Sequence, residues 1–328
     1  MLWLALRARG KEFEWEIFRS TFAGIHWGWF STGVALVLLT YLGRAIRWQV
    51  MLRPIKPKSS FSNLLIATTI GFTAVVLFGR AGELVRPYLI ANKEKVPFSS
   101  QLAAWFLERI YDLLSVLLLF GFALAQITGS STHVTGHLAT VLRLGGHTAG
   151  ALATLCLALL VTFGLFPNFV ENRLLATLSV LPEHFRARIE SLVRGFLAGT
   201  SSTRQGSIVF LLVLYTFCEW LIIVGCFLCI FKAIPVTQSL GILDTLIVVG
   251  FVAFGSAVQI PGIGGGMQVA TVVVLTELFR VPLESASGIA ILIWVVTFVS
   301  VVPIGLVLAV RDGLEFRKLM NIKEMKSL

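Results

Sequence analysis

The chain has 328 residues, of which 56% are hydrophobic and only 13% charged, a balance that excludes an ordinary soluble domain. Its net charge of +10 comes from basic residues in short segments flanking apolar runs, where they set membrane orientation and attract anionic headgroups, so no nucleic acid is expected as a partner. Cys156, Cys218, Cys226 and Cys229 all fall inside apolar stretches, which argues for packed thiols rather than a disulfide framework, a metal or a cofactor.

Residues 1–29 read as an N-terminal stub and interfacial segment. The apolar run 2–6 is too short for a signal-peptide core and is consistent with a truncated first helix, while Trp15, Phe18, Phe22, Trp27, Trp29 and Phe30 suit an aromatic belt. Residues 30–52 make the first full span, and Arg44, Arg47, Arg53, Lys56 and Lys58 crowd its far end, which places the following loop in the cytoplasm. The apolar run 63–78 is short, and Arg80, Arg86, Lys93 and Lys95 follow it, so basic residues flank it on both sides. A re-entrant hairpin that dips in from the cytoplasm and returns avoids stranding one cluster outside.

Residues 101–127 cross outward, 128–146 form an outer loop and 149–166 cross back. In 169–204, apolar residues step by threes and fours between arginines and Pro182 breaks the run, the pattern of two amphipathic helices on the cytoplasmic surface. Residues 207–231 cross outward, 241–260 and 267–279 make a second hairpin broken at 261–266, and 285–310 return to a basic cytoplasmic tail, 311–328. The expected architecture is therefore an all-α integral membrane domain over 30–310, with about five full spans and two re-entrant hairpins, seven or eight apolar segments in all. Repeat A (30–127) and repeat B (207–310) run in opposite senses on either side of a linker (128–206), an inverted repeat whose broken elements meet around a substrate site.

Three clusters carry candidate chemistry. GRAGELVRPY at 79–88 sets Arg80, Glu83 and Arg86 three residues apart. Guanidinium forks suit a lipid phosphate, and a cytoplasmic anchor whose arginines snorkel to headgroups is the alternative. ERIYD at 108–112 puts Glu108 and Asp112 on one helix face beside Arg109 inside an apolar span. Such residues are functional by default, and an ion pair from Arg80 or Arg86 that locks the hairpin to this helix is the competing role. PGIGGG at 261–266, with Pro261, Gly262, Gly264, Gly265 and Gly266, suits a tight re-entrant turn whose N–H groups are able to hold an anion; the turn role alone is the simpler reading. Glu219, Asp244 and Glu277 either couple transport to protons or cap and pair, and the five histidines show no metal-type grouping.

With GRAGELVRPYL, LERIYDLL and the Pro-Gly turn in this order, the chain resembles the flippase-like membrane domain of the lysylphosphatidylglycerol synthase family. The resemblance implies re-entrant helices and binding or flipping of anionic, aminoacylated or isoprenoid-linked lipids in a bacterial inner membrane, with Arg80, Glu83, Arg86, Glu108, Arg109 and Asp112 as the headgroup residues. Ile263 stands where the family turn has a glycine, and Gln268 where it has a glutamate. The soluble aminoacyl-transfer domain of the full synthases does not follow residue 328, so a transporter is expected rather than lysyl transfer. A membrane-embedded enzyme on a lipid phosphate and a non-catalytic scaffold are the rival functions, although no catalytic motif is present.

Overall fold

The computed structural model describes residues 13–129, 137–178, 183–256, 259–262 and 264–313. Among these residues the chain is helical apart from one two-residue strand pair. The expected N-terminal run 2–6, Pro182, Ile263 and the tail from 314 lie outside the described residues. The helices are α1 (Trp15–Ser20), α2 (Trp27–Leu52), α3 (Phe61–Phe78), α4 (Val85–Glu94), α5 (Phe98–Gly129), α6 (His137–Leu165), α7 (Pro167–Leu178), α8 (Glu183–Gly199), α9 (Gly206–Ala233), α10 (Ile242–Gly255), α11 (Gly266–Glu277), α12 (Leu283–Thr297) and α13 (Val302–Arg311). Among the described residues five stretches are long and apolar enough to cross a membrane: Trp27–Leu52, Phe61–Glu94, Gly145–Leu165, Gly206–Ala233 and Leu283–Arg311.

The second of these stretches is not one straight rod. Gly79 ends α3 at φ +64°, a left-handed conformation that favours glycine, and a 3₁₀ turn over Gly79–Leu84 redirects the chain into α4. A Cβ on Gly71 of α3 would lie 2.5 Å from the Cβ of Arg86 on α4, whereas fifteen residues of continuous helix would hold these positions about 22 Å apart. The two arms are therefore folded against each other as a helical hairpin. α5, which follows the hairpin, is 32 residues long, and its apolar run is interrupted by Glu108, Arg109 and Asp112.

The chain divides into two compact units, each built from discontinuous segments and each holding one hairpin. One comprises Tyr41–Ser115, Thr154–Glu219 and Val301–Leu328. In it Trp48, Leu64, Ile70, Leu89, Leu107 and Leu212 form a buried core between the end of α2, the α3–α4 hairpin, the start of α5 and α9. α13 packs on α3, with Gly305 directly over Thr73 and Thr69. Lys93 near the end of α4 pairs with Asp312, just past α13, at 2.5 Å, while Glu94 accepts from Asn63 Nδ2 at 2.8 Å and pairs with Lys56 Nζ at 2.7 Å, which ties the end of α4 to the start of α3. α8 docks on the start of α5 through Gly195 over Ser99 and Gly199 over Ser100 and Ala103, a close approach that small residues four apart permit.

The other unit comprises Met1–Thr40, Val116–Ala153 and Trp220–Ser300. Here α10 and α11 form the second hairpin, with Gly255 so close to Gly266 and Ala270 that an added Cβ would lie 2.5 Å from the Gly266 carbonyl oxygen. α1 rests on α12, where Thr21 Oγ1 donates to Ser285 Oγ at 2.9 Å and Phe22 lies over Gly288. The expected loop at 128–146 is shorter than the sequence suggested, because α6 begins at His137 and α5 runs to Gly129. Gly145 and Gly146, at the end of the expected loop, lie within α6, next to Phe120 and Leu124.

Gly71 gives a direct test of the first hairpin. Gly71→Ala forces a methyl group against the Arg86 Cβ and backbone, and overpacking of this kind costs about 1–3 kcal/mol. Thermal unfolding of the detergent-solubilised protein should show a melting temperature lowered by several degrees; an unchanged melting temperature would contradict the folded-back hairpin.

Candidate functional site

The deepest polar feature is a cluster of ion pairs contributed by α2, α4, α5 and α9 within one compact unit. Arg47 of α2 lies at its centre with 1% of its side chain exposed. Its Nη1 donates to Asp112 Oδ1 at 2.5 Å and to Thr216 Oγ1 at 3.1 Å, and its Nη2 donates to Glu108. Arg86 of α4 donates to the same Glu108 through both guanidinium nitrogens, with Nη1 to Oε1 at 3.1 Å. Glu108 is thus held between two arginines from different helices and is 0% exposed. Arg44 pairs with Glu219 Oε1 at 2.7 Å.

Aromatic faces complete the packing around these guanidiniums. Arg86 lies 4.7 Å from the Trp48 ring centroid and 5.3 Å from that of Phe72, and Arg44 lies 4.6 Å from Phe72. Phe72, carried by the first hairpin arm, therefore touches two cations of the cluster through its negative ring face. Glu219 is the fourteenth of 28 residues in α9, about 20 Å from either end of that helix. The cluster therefore stands near the middle of a long apolar helix, where unpaired charge is least tolerable.

Arg109 differs from its neighbours. Its side chain is 38% exposed and its contacts with Glu108 and Asp112 are both loose, at 3.4 Å. Arg80 and Glu83 pair with each other across the 3₁₀ turn, with Arg80 48% exposed, and the Glu83 carboxylate acts electrostatically on Arg109. The polar path thus runs from an exposed pair, through a half-exposed arginine, to a buried interior. Four guanidiniums, those of Arg44, Arg47, Arg86 and Arg109, face three carboxylates, those of Glu108, Asp112 and Glu219. One positive charge is left in excess.

Of the six headgroup residues expected from sequence, Arg86, Glu108, Arg109 and Asp112 come together, while Arg80 and Glu83 form the exposed pair beside them. The lock anticipated between the hairpin and α5 is the Arg86–Glu108 pair. Sequence reading missed Arg47 and Arg44, assigning them to the orienting charges at the end of the first span. Arg44 and Arg47 recur with Thr40, Tyr41, Trp48 and Met51 at helical spacing, a stripe that marks an inward face. Glu219, for which the sequence left proton coupling and pairing open, is paired with Arg44.

The glycine-rich turn is a second feature, in the other unit. Gln259–Ile260 pairs antiparallel with Gly264–Gly265, and Pro261 and Gly262 form the exposed tip, with Gly262 at φ +71°. Gln268 Oε1 accepts from the Gly265 N–H at 2.6 Å and caps α11, whose first residue is Gly266. The amide side chain at this position has a local structural task. Asp244 does the same for α10 by accepting from the Gly241 N–H at 2.8 Å.

Removing Arg47 strands Glu108 and Asp112 in an apolar interior. Arg47→Met is expected to cost about 3–5 kcal/mol, against less than about 1 kcal/mol for Arg80→Ala at the exposed turn. Comparing the two melting temperatures checks this: equal effects would contradict the central place of Arg47.

The chain matches the family model described as the lysylphosphatidylglycerol synthase TM region over residues 1–305. Among curated proteins it is similar to Glycosyltransferase AglD of Haloferax volcanii, with 32% identity over 103 residues. That match spans 31% of this chain and 16% of the relative. No solved structure matches the chain. With a family match over nearly its whole length and, among the described residues, five stretches long and apolar enough to cross a bilayer, this is a multi-pass membrane protein that belongs to the family of the lysylphosphatidylglycerol synthase transmembrane region.

Proposed function

We propose that the protein is a lipid translocase or lipid-binding transporter for anionic, aminoacylated or isoprenoid-linked lipids of a bacterial inner membrane. The observation that carries this reading is the single uncompensated positive charge in a guanidinium cluster at mid-helix depth, whose most open member is the half-exposed Arg109. A phosphate monoanion neutralises that charge and offers the oxygen pairs that guanidinium forks bind most strongly. Arg109 is the residue that first meets it, because its existing contacts are the longest and its side chain is the most open of the four.

In this reading the hairpins α3–α4 and α10–α11 are re-entrant elements entering from opposite faces, and repeats A and B form the two halves of an alternating-access device. α7 and α8 lie on the cytoplasmic surface, where exposed Phe169, Leu174 and Leu192 dip toward the acyl chains. The glycosyl transfer in the printed name of the relative is not carried over, since only 16% of that protein is matched.

The test is movement of a headgroup-labelled phosphatidylglycerol across liposomes holding the purified protein. Wild type should move it, and Arg86→Lys, which keeps the charge but loses the planar fork, should lower the rate by about tenfold or more. Arg109→Gln should do the same. No movement of any anionic or isoprenoid-linked lipid by wild type would sink the proposal.

A further inference from the structure

Glu219 is the cluster's least satisfied carboxylate. It is 4% exposed, and only one of its oxygens is bonded, to Arg44 at 2.7 Å. The other, Oε2, is buried with no hydrogen-bond partner. Arg47 Nη1 lies 3.4 Å from it, but that nitrogen donates to Asp112 and Thr216. Glu108 and Asp112, by contrast, each receive donors on both oxygens.

The groups that face Glu219 are Arg44, Arg47 and Tyr41 from α2, and Glu108 and Asp112 from α5, with Thr216 one turn back on its own helix. Two carboxylates oppose its ionisation and two arginines favour it, yet one arginine is committed elsewhere. A proton added to the cluster therefore goes most readily to the oxygen that no donor serves. Protonated, the cluster carries two positive charges in excess instead of one, and its attraction for an anion rises accordingly.

We infer that Glu219 is a proton-binding residue whose protonation is linked to occupation of the arginine cluster by an anionic headgroup. The inference rests on the lipid-transport reading above and adds its energy source. The proton comes from water, resides on Oε2 while the anion is bound, and leaves with it. Linkage is reciprocal, so a bound anion also strengthens the hold on the proton. The two then move together and a proton gradient drives the lipid.

Infrared difference spectroscopy on the full chain in lipid nanodiscs tests this. Acidification from about pH 8 to about pH 5 should produce a protonated-carboxyl band in wild type that Glu219→Gln lacks and Glu219→Asp retains. Replacing phosphatidylcholine nanodiscs with ones containing phosphatidylglycerol should raise the band's midpoint by about one pH unit, a tenfold linkage. Survival of the band in folded Glu219→Gln, or its loss in folded Glu219→Asp, overturns the assignment. If phosphatidylglycerol binds but the midpoint stays fixed, the proton linkage falls and the transport reading stands. If phosphatidylglycerol neither binds nor shifts the midpoint, the proton linkage to this headgroup falls, and the transport reading falls with it only if the liposomes also show no movement of any other anionic or isoprenoid-linked lipid.

Discussion

A guanidinium carried into an apolar interior must bring its carboxylates with it, and Arg47 imposes that condition on the unit around it. Two acids on α5 and one on α9 converge on this side chain, and Arg86 from the hairpin shares Glu108 with it. The ion pairs fix the rotational phase of these helices, because a turn of one residue in any of them would leave a buried charge unpaired. The hairpin is fixed in the same way. Gly71 lets α4 approach α3 closely, and that approach aims Arg86 at Glu108.

The same arrangement balances structure against binding. A fully neutral cluster would be an internal scaffold with little reason to attract a ligand. Here the tight pairs hold Arg47 and Arg86, whereas Arg109 keeps two long contacts and a partly open side chain. Phe72 covers part of the Arg44 and Arg86 cations with an aromatic face, which offers attraction without neutralising charge. The excess charge thus stays within the unit, next to a path that begins at the exposed Arg80–Glu83 pair.

Much of this was legible in the sequence. The break at Gly79 with basic residues on both sides of 63–78 pointed to a hairpin, and Glu108 and Asp112 four apart announced an inward polar face on α5. PGIGGG located the second turn. Arg47 was not legible in the same way, because an arginine near the end of a span satisfies the charge rule for orientation equally well whether it faces water or the interior. Only the rotational phase of α2 decides between these, and that phase depends on partners far along the chain, at 108, 112 and 219. The outer loop expected over 128–146 was overlong, because α5 runs to Gly129 and α6 begins at His137.

The central claim is that a partly buried excess of guanidinium charge selects phosphate-bearing anionic lipids. Native mass spectrometry of the purified protein, comparing the lipids it retains with those of the surrounding membrane extract, tests it most directly. The account predicts retained lipids enriched in anionic phosphate-bearing species and released by Arg109→Gln. Retained lipids with the composition of the bulk membrane, indifferent to that substitution, would contradict it.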